Sequence, residues 1–323
     1  MPTLTLHRIK ILLPFMLTIG LLSSCRSMKN LEIKDLLQHS NCNQQNIYQY
    51  SLDSLPIPLH ERVISPLLKD RLSFNNLNMA NAIGILNTIT RYAELRANPK
   101  SKEDLQYRVE ILELKQEIDH KINMSSLEIS AISSEMDCEE ERTSQIANYL
   151  IGRSNERESK LTISAIVVGA LGAILTEGII KNDKASSVVG ISTGLAEATF
   201  GVMMLMNDES IEFHHKRNAL KDIWFGSPVS QNFPPAVWYY LNYKSPENGL
   251  NNSLREQIVQ KWTSFGQINK KPEQELLDLY FGTGGKYSSE QLENRADMYD
   301  QLESNINLMK QDLKALSLEL EKI

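Results

Sequence analysis

The chain has 323 residues and a formal net charge of −6, with 41% hydrophobic and 23% charged residues. This length is enough for one large domain or two small ones, and the composition excludes both wholesale disorder and a polytopic membrane protein. Glycine is scarce, at 15 residues, and no proline lies between Pro99 and Pro228. Six of the glycines lie between Leu161 and Met206. A chain with few glycines and a long proline-free centre predicts long helices.

The first 24 residues have the layout of a secretory signal. A basic start with Arg8 and Lys10 precedes an apolar run of 12 residues, Ile11 to Leu22, and small residues follow it. Twelve residues are too few to span the roughly 30 Å hydrocarbon core of a bilayer. We therefore interpret residues 1–24 as a signal peptide that is removed, and not as a transmembrane anchor.

The end of this signal, Leu22-Ser23-Ser24-Cys25, resembles the lipobox of bacterial lipoproteins. The resemblance covers the first 25 residues only, and it implies cleavage before Cys25 and acylation of this cysteine. Several acyl chains make a stable attachment, so the implied location is the bacterial cell envelope, with membrane lipid as the partner of acylated Cys25. Arg26 stands where an aspartate would mark inner-membrane retention, which favours the outer membrane. The alternative is an ordinary signal peptide followed by a chance cysteine.

Loss of Arg8 and Lys10 with the signal takes the net charge from −6 to −8. An acidic mature chain argues against nucleic acid as a partner, because phosphate binding requires a basic face. The remaining cysteines, Cys42 and Cys138, either close a disulfide in an oxidising envelope or stay as free thiols, and their spacing fits no metal site. Residues 25–69 are polar and contain three prolines, so we expect a lipidated tether there.

Helical periodicity begins near Leu72 and predicts a bundle of long helices over residues 70–225. Asn98-Pro99 ends the first helix, and Ser101 and Asp104 mark the start of a very long one. The charged run Cys138-Glu139-Glu140-Glu141-Arg142 is interpreted as a solvated face of that long helix.

Within the bundle, residues 161–206 form two apolar segments joined by a polar connector, which predicts a helical hairpin. Each segment has small residues at four-residue spacing, a pattern that lets two helices approach closely. The residues expected to pack in this way are Ala165, Gly169, Ala173, Gly190, Gly194 and Ala198. Glu197 lies near the middle of the second segment, where insertion into lipid costs about 2.5–3.5 kcal/mol. The sequence leaves open whether the hairpin is buried in its own bundle, in an oligomer or in a bilayer.

Residues 226–285 are expected to form short helices and turns with an aromatic cluster. The run Gly282-Thr283-Gly284-Gly285-Lys286 lacks the first glycine and the Ser or Thr of a phosphate-binding loop, so we interpret it as a helix break. Residues 286–323 repeat apolar positions over more than four heptads, interrupted by Arg295 alone, and predict a coiled-coil helix. Its partner is either the chain's own long helix, running antiparallel, or another copy. The seam residues are Leu292, Tyr299, Leu302, Ile306, Met309, Leu313, Leu316, Leu320 and Ile323.

The residues with potential chemistry are few. Two Glu-x-x-His pairs, Glu117/His120 and Glu212/His215, are weak metal candidates, because ferritin-like di-iron bundles use such pairs; we interpret them as solvated helix faces. Gly190-Ile191-Ser192-Thr193-Gly194 has the spacing of a nucleophile elbow, but it lies inside a helical segment and not between a strand and a helix. We therefore expect no enzymatic activity, no cofactor and no metal.

Together these elements predict an all-α chain: an elongated helical bundle or coiled coil with a central glycine-rich hydrophobic hairpin. The expected function is that of a lipid-anchored structural or interaction protein of the cell envelope, whose coiled coil and hairpin contact a second copy or an envelope protein. The alternative is a membrane-inserting protein. The layout of long helices with a glycine-rich apolar hairpin resembles that of α-helical pore-forming toxins, without a shared motif, and this resemblance implies that residues 161–206 enter a bilayer.

Overall fold

The computed structural model describes residues 42, 47–99, 103–174, 199, 203, 209–244 and 252–323, with the backbone alone for residues 169–174. The described chain is mostly helical, as the sequence predicts. The helices are α1 (Pro66–Lys69), α2 (Phe74–Ala82), α3 (Leu86–Ala97), α4 (Leu105–Ile174), α5 (Ala219–Phe225), α6 (Pro235–Asn242), α7 (Leu254–Ser264), α8 (Gln274–Phe281) and α9 (Ser289–Leu320), and the strands are β1 (Ser210–His214) and β2 (Gly284–Ser288). Short 3₁₀ turns, Leu52–Ser54 and Leu59–Glu61, precede α1.

Several predicted features lie outside the described residues. They are the signal peptide, the acylated Cys25 and the hairpin residues Gly190, Gly194 and Ala198. Gly169 and Ala173 lie within the helical backbone of α4, and Ala165 on the same helix is half-buried.

The longest element is α4, which contains 70 residues and is therefore about 105 Å long at 1.5 Å per residue. The carboxylate of Asp104 accepts a hydrogen bond of 2.8 Å from the amide of Gln106 and so satisfies a donor at the helix start. The helix contains no proline, and its first glycine is Gly152. The absence of proline throughout, and of glycine before residue 152, explains why the helix continues without interruption.

Helix α9 runs antiparallel to α4 and covers one face of it. The Oγ atom of Ser133 donates to Oδ1 of Asn307 at 2.9 Å. Glu140, which follows Ser133 in α4, lies near Asp297 and Asp300, which precede Asn307 in α9. The two helices therefore run in opposite directions. All nine predicted seam residues are buried, and so are the apolar residues Ile118, Ile129, Ile132, Met136, Ile146 and Leu150 of α4. The partner of the C-terminal helix is therefore the chain's own long helix.

The two strands form an antiparallel pair in which Ile211 faces Tyr287 and Phe213 faces Gly285. The expectation of an all-α chain is therefore wrong for residues 210–214, which were assigned to helices, and for residues 284–286, which were assigned to a helix break. Each strand is only five residues long. Five residues allow only about two repeats of the apolar/polar alternation that identifies a strand, so the pattern is weak compared with those of the long helices.

Gly284 allows the two strands to approach. Its φ of 89° lies in the left-handed region, and a Cβ atom at this position would be 2.3 Å from the carbonyl oxygen of Phe213. Glycine alone accepts both conditions without displacing the neighbouring strand.

Residues 47–69, which the sequence assigned to the polar tether, lie against the folded body. The amide of Tyr48 donates to the carbonyl of Gln231 at 3.1 Å, and Leu59 and Leu68 are buried. Just before this segment, a disulfide joins Cys42 to Cys138 in α4, with 5.4 Å between the Cα atoms. The disulfide closes a loop across 96 residues and attaches the chain just before residues 47–69 to the long helix.

Candidate functional site

Buried polar side chains connect α4, α9 and the strand pair. We call this group the Arg295 cluster, and its members are Glu139, Arg142, His215, Asn218, Tyr280, Tyr287, Arg295 and Tyr299. Charged residues are seldom fully buried unless their polar atoms are satisfied. The burial of these charged residues therefore depends on their hydrogen bonds and ion pairs.

Arg295 is the centre of the cluster and has 0% of its surface exposed. Its Nη1 atom donates to the carbonyl of Tyr280 at 2.7 Å. Its Nη2 atom donates to the hydroxyl of Tyr299 at 3.2 Å and to Oδ1 of Asn218 at 3.5 Å. The guanidinium also lies over the Tyr299 ring, 5.1 Å from its centroid. The residue that interrupts the apolar seam in the sequence is therefore a buried donor that joins α9 to two segments outside it.

His215 follows β1 directly and is 5% exposed. The hydroxyl of Tyr287 donates its single proton to the carbonyl of Leu279. The 3.1 Å contact between His215 Nε2 and the Tyr287 oxygen is therefore a hydrogen bond donated by the histidine. This assigns the Nε2–H tautomer and leaves Nδ1 without a hydrogen-bond partner among the described residues.

The surroundings of His215 favour its neutral form. Burial is the largest cause, and the nearby charges of Arg295 and Arg142 act in the same direction. They lower the pKa of His215 from 6.5 to about 2. The imidazole therefore stays neutral and acts as a fixed hydrogen-bond donor within the core.

Two ion pairs involve α4, one within the cluster (Glu139 with Arg142) and one beside it (Glu135 with Arg217). Glu139 Oε2 and Arg142 Nη2 are 2.8 Å apart, both side chains are buried, and Arg142 lies 4.4 Å from the centroid of the Phe213 ring. Arg217 binds Glu135 through two nitrogens, at 2.5 and 3.3 Å. The interpretation of residues 138–142 as a solvated face is therefore wrong for Glu139 and Arg142, because these residues form the side of α4 that packs on β1.

These contacts define what the cluster does chemically. The Glu139 carboxylate is bonded to Arg142, the His215 imidazole is neutral, and the Tyr287 hydroxyl donates to the carbonyl of Leu279. The result is a set of charge-assisted bonds that hold together elements far apart in sequence. Arg295 could have been noticed in the sequence, as a polar residue in an otherwise apolar seam, but its partners could not.

The predicted metal candidates are not brought together. Glu117 on α4 accepts a hydrogen bond of 3.1 Å from Thr88, and His120 is exposed. Glu212 lies on a strand with its side chain exposed near His214, whereas His215 is buried against Tyr287. The helical spacing assumed for Glu212 and His215 is therefore wrong. Within the described ranges, no group of three His, Cys, Asp or Glu side chains is placed to hold a metal ion.

An open cleft of about 710 Å³ lies between residues 52–61 and residues 226–244. Tyr239 forms part of its wall, and burial raises the pKa of this residue to about 12. The Tyr239 hydroxyl donates to Asn78 at 2.8 Å and accepts from Asn81 at 3.0 Å. The Tyr239 and Tyr243 rings are stacked at 5.4 Å. These rings and the adjoining prolines give the cleft a mainly apolar wall, so the aromatic cluster of the sequence both packs inward and lines a surface.

A second exposed feature lies far along α4. Ile163, Ile166 and Val167 are exposed by 61%, 65% and 50%, and their spacing places them on one face of the helix. Ala165, on the opposite side, is half-buried. Among the described helices, none is both long and apolar enough to cross a membrane.

The structure thus places the Arg295 cluster in a closed polar core, whereas the cleft and the face of Ile163, Ile166 and Val167 are surfaces with apolar character. Comparison with family models, with curated proteins and with solved structures finds no match to this chain.

Proposed function

We propose that this chain is a lipid-anchored structural or interaction protein of the bacterial cell envelope and that the segment 161–206 is its contact element. The observation that carries the proposal is the exposed apolar face of Ile163, Ile166 and Val167 near the end of the described part of α4. An exposed group of large aliphatic side chains is typical of an interaction site. The lipobox-like Leu22 to Cys25 supports attachment to the membrane.

We further propose that α4 and α9 are an antiparallel coiled coil at the centre of a helical bundle. The regular seam and its complete burial support this description. Because that seam is occupied within the chain, the proposal assigns contact with a second copy or with an envelope protein to the hairpin and not to the C-terminal helix.

Lipidation is tested by growing bacteria that express the full chain with an alkyne-bearing fatty acid. We expect label on the wild-type protein and loss of label, with accumulation of the uncleaved precursor, in Cys25→Ala. Cys42→Ala is the matched control, because it removes a cysteine that is not in the lipobox, and it should keep the label. Label that persists in Cys25→Ala would contradict attachment at this residue.

The role of the hairpin is tested in the mature chain carrying Cys25→Ala. Gly194→Leu should change the oligomeric state measured by analytical ultracentrifugation, since a large side chain prevents the close approach expected of the small-residue stripe. Gly152→Leu is the control, because Gly152 lies on exposed helix with nothing within 4 Å of an added Cβ atom. The same oligomeric state in both variants and the parent would count against assembly through the hairpin.

A further inference from the structure

We infer that the face formed by Ile163, Ile166 and Val167 contacts the acyl region of the same bilayer that holds Cys25. This inference rests on the proposed function for the lipid at Cys25, and it names the partner of one surface of the contact element. The small-residue stripe that begins at Ala165 lies on the opposite side of the helix, so contact with lipid leaves that stripe available for helix packing.

Charged residues are unevenly distributed along α4. Residues 153–160 contain Arg153, Arg157, Lys160 and two glutamates, and those from Asn155 to Lys160 are exposed. From Leu161 to Thr176 the sequence has no charged residue. Such a change, from a charged stretch containing basic side chains to an uncharged apolar one, is the pattern of a segment that passes from the polar headgroups to the acyl region.

A second group of exposed apolar residues on α4 differs from the face of Ile163, Ile166 and Val167. Leu105, Val109 and Leu112 are also exposed at the start of α4, but Arg108 lies on the same face, three residues after Leu105 and four before Leu112. A charged side chain in the middle of an apolar face makes contact with hydrocarbon costly. The face of Ile163, Ile166 and Val167 differs, because a charge, Lys160, borders it only on the side of the charged stretch and none follows up to Thr176.

The length of chain between Cys25 and Cys42 can be compared with the distance along α4 from Cys138 to Ile163. The disulfide fixes Cys42 to Cys138, so 17 residues separate the acylated position from a point on α4, and they extend over at most about 60 Å. Ile163 follows Cys138 by 25 residues of helix, a distance of about 38 Å. Because the maximum extension of this stretch exceeds the distance along the helix, the chain length permits attachment at Cys25 and contact of the apolar face with one membrane without unfolding any described element.

The test uses the mature chain beginning at Cys25, with the Cys42–Cys138 disulfide intact and the Cys25 thiol coupled to maleimide lipids in phosphatidylcholine and phosphatidylglycerol vesicles. Ile166→Trp places a fluorescent reporter on the face, and Asn155→Trp places one on the same side of the helix, about 16 Å nearer the body. The emission of the parent, with its three native tryptophans, is subtracted. Both positions are exposed, and circular dichroism checks that the variants keep their helix content.

We expect brominated acyl chains to quench at least half of the added emission of Ile166→Trp and to leave that of Asn155→Trp unchanged. Absence of quenching at residue 166 in the coupled protein would overturn the inference. A blue shift without quenching that grows with the surface density of protein would also overturn it, by identifying a second copy as the occupant. Because the lipid is attached chemically, either result is independent of whether cells acylate Cys25.

A second measurement tests the side chains themselves. Replacing Ile163, Ile166 and Val167 together by serine should reduce partitioning of the uncoupled protein onto the same vesicles at least tenfold, because three large aliphatic groups are lost. Serine at Leu105, Val109 and Leu112 is the matched control and should change partitioning less than twofold. Equal losses in the two triple variants would contradict a specific lipid-contacting face.

Discussion

The guanidinium of Arg295 donates a 2.7 Å hydrogen bond to the backbone carbonyl of Tyr280. This bond joins the seam of α9 to the last turn of α8, shortly before the chain enters β2. A residue that interrupts a heptad pattern is usually unfavourable for helix packing. Here it connects the helical pair to the strand pair, and the buried charge is accommodated by a carbonyl, an amide oxygen and a hydroxyl.

Truncation of Arg295 should be costly, and most of the cost should come from the space that it leaves. We expect Arg295→Ala to lower the free energy of unfolding by about 3–5 kcal/mol, as for other large buried side chains. Arg295→Met fills much of the volume without a buried charge but removes the donor for the Tyr280 carbonyl, so it should cost less than Arg295→Ala, about 1–3 kcal/mol. Urea denaturation followed by circular dichroism measures both. Equal losses for the two variants would show that the hydrogen bonds, and not the packing, dominate.

His215 should make the protein less stable in acid. Its pKa is about 2 when folded and 6.5 in the reference state, so below pH 6.5 the unfolded chain binds a proton that the folded chain does not. This residue's contribution is therefore fully present above pH 6.5 and is progressively lost as the pH falls toward 2, at about 1.4 kcal/mol per pH unit.

The matched variant for this prediction is His215→Gln, which keeps an N–H donor for Tyr287 but does not titrate. Between pH 6 and pH 4, the stability of the wild type relative to this variant should fall with the slope given above. Urea midpoints over this range check it. Parallel pH profiles for the two proteins would mean that His215 is protonated as easily in the folded chain as in the unfolded one.

Loss of the disulfide should destabilise the protein mainly through the unfolded state. A bridge across 96 residues corresponds to about 4–5 kcal/mol of loop-closure entropy. Cys42→Ser, Cys138→Ser and the double variant should all show a similar loss, because each removes the same covalent link. Denaturation under oxidising and reducing conditions measures it, and reduction should change the wild type alone. A larger loss in Cys138→Ser than in Cys42→Ser would indicate packing at α4 beyond the bond itself.

Two glycines offer opposite predictions. Gly284→Ala should destabilise the protein by about 1–3 kcal/mol, because it combines a left-handed φ with a clash against Phe213. Gly152→Ala, on exposed helix with open space around it, should stabilise by up to about 1 kcal/mol. Thermal melts of the two variants check the signs. Stabilisation by Gly284→Ala would mean that the strand pair adopts another register.

The helical part of the fold follows from the sequence because its signals are long. The nine seam residues of the C-terminal segment repeat over several turns, and the same holds for the apolar positions of α4, so local errors average out. The sequence does not distinguish between the chain's own long helix and another copy as the partner of this seam. Bonds such as that between Ser133 and Asn307 depend on distant residues and leave no local pattern.

The strands and the buried charges could not be read in the same way. Glu139 and Arg142 have the composition of a solvated helix face, and only the approach of Phe213 turns that face inward. His215 belongs to a short strand segment whose burial depends on Tyr287, 72 residues later. In both cases tertiary contact overrides the local preference.

The position of α9 in the chain has a consequence for the order of events during synthesis. The described residues of α4, 105–174, are made well before the helix that covers their apolar side, which begins only at Ser289. Until then, the buried side chains of α4 have no α9 to pack against, and contacts of such large sequence separation form slowly. The packing of α4 against α9 is therefore completed only after the ribosome has made most of the chain, and until then the apolar side of α4 lacks this cover.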